Sequence, residues 1–145
     1  MTALGSLVRV HSWALNEKRQ KLTDLEELVD KMHHDLERLE AELNSEQRAA
    51  VGSMEGTIAF PAFVAAALER RKKLRDSIAN LGLAIDAARA EVREAFQEVK
   101  KFELAQDNYE RREREKIARR EQRELDELGA DIHQRKKASD RDGTT

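Results

Sequence analysis

The chain has 145 residues, enough for one domain or one extended element. Charged residues make up 39% of it and aromatics 4%, with a single proline, a composition too polar for an ordinary globular core and typical of long helices and coiled coils. A net charge of −2 supplies no global field for nucleic acid or an anionic membrane, and the lack of cysteine excludes disulfides and cysteine-based metal sites.

The first apolar residues are interrupted by Arg9 and His11, so neither a signal peptide nor a membrane span is expected, and a cytosolic protein is. Residues 1–5 are expected to fray, with Ser6 capping a helix that starts near Leu7. From there Val8, Leu15, Leu22, Val29, Leu36 and Leu43 recur every seventh residue, and Leu25, Met32 and Leu39 form a second row. These are the a and d rows of a heptad, which must be buried against another helix. The second row is weak at its start, where His11 and Lys18 occupy it. The exposed faces from Leu22 to Glu46 are acidic.

Gly52, Ser53, Gly56 and Thr57 read as a chain reversal. Pro61 suits the first turn of a second helix, although Phe60 is a poor cap and a start near Thr57 is the alternative. That helix carries its own seam: Val64, Ala67, Arg71, Leu74, Ile78, Leu81, Ile85, Ala88, Val92, Ala95, Val99, Phe102, Gln106 and Tyr109. Beyond Tyr109 the seam meets Glu113 and Lys116, and residues 110–127 are almost entirely charged.

Folding the chain near Glu55 pairs residues whose numbers sum to about 110. Leu43 then meets Ala67, Leu36 meets Leu74, Met32 meets Ile78, Leu25 meets Ile85, and Val8 meets Phe102. Every such pair is apolar, so the partner strip lies within the chain. Arg70, Arg71, Lys72, Lys73 and Arg75 come opposite Asp35, Glu37, Glu40 and Glu42, which favours this orientation. The expected fold is all-α: a long antiparallel two-helix coiled-coil hairpin with helix 2 overhanging at its C-terminal end. It forms a single domain over residues 1–137, with helix 1 over about 7–50, a turn over about 51–60 and helix 2 over about 61–132. A disordered tail follows at 138–145.

No catalytic, cofactor or metal site is read. His33 and His34 are adjacent and diverge by about 100° on a helix, so they do not pair as ligands. Gly52 and Gly56 lack the lysine and the strand–helix context of a phosphate loop. The carboxylates sit on solvated faces. The cations between Arg111 and Arg123 are interleaved with glutamates, which argues against nucleic acid; they read as a self-supporting solvated helix or a contact surface for a protein. The aromatics cluster at the two ends: Phe60 and Phe63 at the turn, and Trp13, Phe96, Phe102 and Tyr109 at the open end. They serve either as packing that pins each end or as exposed anchors.

The stretch Leu7-Val8-Arg9-Val10-His11-Ser12-Trp13-Ala14-Leu15-Asn16-Glu17-Lys18-Arg19, with the heptads that follow, resembles the start of FliJ-type flagellar export proteins. So do the stretches Phe63–Arg71 and Glu98–Glu103. The resemblance implies an antiparallel coiled coil similar to the central stalk of rotary ATP synthases. It implies a cytoplasmic protein associated peripherally with the flagellar basal body and inner membrane. Its partners would be the hexameric export ATPase, the membrane export gate and export chaperones, with the chain alone a monomer. On that resemblance Val10, Trp13, Phe102, Tyr109, Arg111 and Arg112 would face the ATPase. Phe60, Phe63, Val64 and Ala67 would face the gate. The competing reading is a homodimeric coiled-coil scaffold with no role in export.

Overall fold

The computed structural model describes residues 3–143. Two α-helices account for nearly all of them: α1, Ala3–Val51, and α2, Met54–Asp142. The described residues contain no strand. They separate into two compact units, one of Arg9–Val99 and one of residues 3–8 with 100–143.

In the Arg9–Val99 unit, α1 and the first half of α2 pack against each other as an antiparallel hairpin. The seams predicted from heptad spacing are the ones that lose solvent. Leu15, Leu39, Ala67, Ile85, Ala88 and Val99 are buried, and the other predicted seam residues of this unit are at least half-buried. His11, Lys18 and Arg71, the polar residues on the seam, are also half-buried. Only small and aliphatic side chains reach full burial. One face of each helix is covered and the opposite face stays in water, as two packed helices require.

Ion pairs line the seam on both sides. Glu40 and Arg75, which follow the seam residues Leu39 and Leu74, lie 3.5 Å apart. Glu26 and Arg89, which follow Leu25 and Ala88, lie 3.8 Å apart. On the opposite flank Lys21 and Glu91 lie 3.6 Å apart. Each pair is about half exposed, so each contributes only a few tenths of a kcal/mol and acts mainly on orientation. Arg70 shares a surface depression with Asp35, Leu39 and Glu42. Two residues of the basic block, Arg70 and Arg75, thereby meet the acidic face of α1.

The helix limits differ from the sequence expectation in three places. First, α1 begins at Ala3, so Ser6 lies inside the helix and does not cap it. Leu4 and Val8 are half-buried in the unit with residues 100–143, and tertiary packing of this kind holds a terminal turn that propensity alone leaves marginal.

Second, the turn is Gly52–Ser53 alone, and residues 54–60, expected as loop, are helical. Ser53 is the reason. Its hydroxyl oxygen accepts a bond from the Gly56 N–H at 2.9 Å, and its carbonyl accepts from the Thr57 N–H at 3.1 Å. This is an N-cap, which starts α2 well before the proline. Pro61 therefore sits within the helix, where it removes the bond to the Thr57 carbonyl. The Thr57 hydroxyl lies 2.8 Å from the Ala50 carbonyl and 2.9 Å from that of Ser53, and it ties the start of α2 to the end of α1. Gly56 is required for the crossing. A Cβ there would come within 3.1 Å of the Ala50 Cα and 2.9 Å of the Ser53 hydroxyl. Gly52 is not in a left-handed conformation; its N–H bonds back to the Ala49 carbonyl at 3.2 Å. Ser53→Ala is expected to destabilise the hairpin by about 1 kcal/mol, read as a lower midpoint in urea.

Third, α2 continues to Asp142, through Gly129 and most of the segment expected to be disordered. Gln122 donates to Asp126 at 3.0 Å and Lys116 pairs with Glu113 at 3.3 Å, local contacts of the kind that sustain a charged helix without a partner. Thr144 and Thr145 lie outside the described residues. In the unit formed by 3–8 and 100–143, Phe102, Gln106 and Val8 are half-buried. From Arg114 to Gly143 every residue is exposed.

Candidate interaction surfaces

The described residues display exposed apolar and cationic surfaces. Among the described residues no group of three or more histidine, aspartate or glutamate side chains is placed to hold a metal ion. No helix among them is long and apolar enough to cross a membrane.

At the turn, Phe60, Phe63 and Val64 are half-buried. Ala67, assigned to the same surface by resemblance, is only 5% exposed and belongs to the seam beneath it. It supports this surface and does not form it. The most exposed apolar side chains here are ones the sequence reading passed over. Val51, Met54 and Ile58 are 86%, 82% and 77% exposed, and with Gly52, Ser53 and Thr57 they border a shallow depression. Treating residues 51–60 as a loop hid them. The four-residue spacing of Met54 and Ile58 is the signal that would have found those two, because it puts them on one side of α2 once that helix starts at Met54, while Val51 is the last residue of α1 across the turn.

Farther along α1, Val10 and Trp13 are 61% and 64% exposed. Heptad position explains this. The seam passes through Val8, His11 and Leu15, which turns residues 10 and 13 to the opposite side of the helix. Phe96, near the expected position opposite Trp13, is itself 43% exposed. Trp13 is thus a displayed side chain and not packing that closes the seam. A separate polar depression lies at the seam, where His11, Ala14 and Lys18 face Glu94, Ala95, Gln97 and Glu98 across the helix pair.

In the unit formed by 3–8 and 100–143, Phe102 is half-buried with the Lys101 ammonium 5.7 Å from its ring centre. Tyr109, expected on the seam, is 46% exposed. Arg111 and Arg112 are exposed, and Arg111 donates to the Asn108 side chain at 3.3 Å.

A model of the flagellar FliJ protein family matches residues 1–138. The chain belongs to the FliJ family. It is a component of the flagellar type III export apparatus, within a family whose members are non-catalytic. No curated protein and no solved structure matches it. For this FliJ-family chain the surfaces above are the candidates for function.

Proposed function

We propose that the chain is a coiled-coil stalk of the flagellar export apparatus that binds the export ATPase hexamer, links it to the export gate at the membrane and escorts export chaperones. It acts as a monomer in the cytoplasm, peripherally associated with the basal body and inner membrane. The observation that carries this reading is the outward display of Val10 and Trp13 on a helix whose inward rows are almost wholly apolar. A hairpin that satisfies its own seam has no internal use for an exposed tryptophan, and such side chains are the usual anchors of protein interfaces. Tyr109, Arg111 and Arg112 would add contacts to the ATPase. Phe60, Phe63 and Val64, with Val51, Met54 and Ile58, would form the gate-facing surface.

A chain that acts on an ATPase by contact alone can affect it only by binding some of its states more tightly than others. The test is ATP turnover by the purified export ATPase with increasing amounts of the chain. Turnover is expected to rise and saturate. Neutralising Arg111, Arg112 and Arg114 to glutamine is expected to weaken that stimulation while far-ultraviolet circular dichroism stays unchanged. Stimulation unaltered by the triple substitution would remove these arginines from the interface, and no stimulation by the wild-type chain would refute the stalk reading.

A further inference from the structure

The charged segment of α2 looks mixed in sequence, but a helix sorts it. Lys116, Arg119, Arg120 and Arg123 stand at spacings of three, four and seven residues and together border one shallow depression. At 100° per residue they occupy an arc of about 100°, and Arg112 extends the same stripe toward the N-terminus. All five are exposed. Glu113 and Glu124 lie along one edge of the arc, Glu115 and Asp126 along the other, and Glu127 closes its C-terminal end. Lys116 pairs with Glu113 at 3.3 Å, and Arg119 Nε donates to the Glu115 backbone carbonyl at 3.3 Å. Arg120 and Arg123 line the same depression.

We propose that this stripe is a peripheral docking surface for anionic phospholipid headgroups. Two features of the helix select that ligand. Acidic residues flank the stripe on both sides, so a polyanion that wraps the helix, such as the walls of a nucleic-acid groove, would press against carboxylates. A flat anionic surface tangent to the helix touches the cations alone. The stripe also holds no apolar residue between Arg112 and Glu127, so it offers a protein partner no desolvated anchor. Clusters of four or more basic residues on one helix face bind anionic bilayers by diffuse charge, without such an anchor. The net charge of −2 opposes this binding, so the effect is local to the stripe. The proposal stands apart from the ATPase reading, since it is tested with the chain alone.

The experiment is flotation of the full chain with vesicles of phosphatidylglycerol and phosphatidylcholine, against vesicles of phosphatidylcholine alone, at low and high salt. Each basic residue near an anionic surface contributes about a fivefold gain in partitioning. Binding is expected only to the anionic vesicles, reversed by salt. It should fall at least a hundredfold in the variant Lys116→Gln, Arg119→Gln, Arg120→Gln, Arg123→Gln. A second variant removes the same charge elsewhere (Lys73→Gln, Arg135→Gln, Lys136→Gln, Lys137→Gln) and should retain most of the binding. Equal binding by both variants, or equal binding to neutral vesicles, would overturn the proposal. So would tighter binding of the stripe to a polyglutamate peptide or duplex DNA in the absence of vesicle binding. Circular dichroism of both variants guards against loss of the helix.

Discussion

Ile85→Asp is expected to cost the hairpin more than about 3 kcal/mol and to abolish its cooperative unfolding transition. Ile85 is 7% exposed and lies midway along the α2 seam. Truncating such a side chain alone costs roughly 2–5 kcal/mol. A carboxylate adds its desolvation, and the seam residue expected opposite, Leu25, offers no cation. Few other residues of the Arg9–Val99 unit are fully buried, and a whole domain of ordinary stability holds only about 5–15 kcal/mol in reserve. Leu83→Asp is the matched control. Leu83 is 71% exposed two residues away, and its substitution should change stability by no more than about 0.5 kcal/mol. Urea denaturation followed by circular dichroism reads both. An Ile85→Asp midpoint equal to that of Leu83→Asp would mean that the two helices do not bury this row against each other.

Trp13→Ala is expected to do the reverse: leave stability almost unchanged and remove most of the ATPase stimulation. At 64% exposure the indole gives the folded chain little. As an interface anchor it would carry about 2 kcal/mol or more, which is roughly a thirtyfold loss of affinity. Val10→Ala, one turn earlier on the same face, should have a smaller effect of the same sign. The two readouts separate the explanations. A lower unfolding midpoint with unchanged stimulation would make Trp13 a packing residue, while loss of stimulation at an unchanged midpoint identifies an anchor.

The hairpin was legible in sequence because the heptad rows state which face is buried. Leu15, Leu39, Ala67, Ile85, Ala88 and Val99 were all named from spacing, and all are buried. The turn was misjudged because Pro61 and the two glycines are louder signals than Ser53. A single cap bond to the Gly56 N–H, together with the Thr57 hydroxyl, starts the helix at Met54 despite the proline. That error concealed Val51, Met54 and Ile58 as a surface. Trp13 could be assigned to either of two roles from sequence, because an aromatic near an open end suits packing and display alike. Its exposure shows that the indole is displayed, and the stimulation assay decides whether it is an anchor. The basic stripe was missed for a different reason. Linear interleaving of Arg and Glu was read as mixing, whereas the helical repeat segregates Lys116, Arg119, Arg120 and Arg123 from their acidic neighbours.

The central claim is that one self-satisfied hairpin serves as the stalk of an ATPase ring. Native mass measurement of the purified chain, alone and with the export ATPase and a non-hydrolysed nucleotide, tests it most directly. The account predicts a monomer alone and a complex of one chain per ATPase hexamer. A stable homodimer that leaves the ATPase unbound would contradict it and would establish the homodimeric scaffold instead.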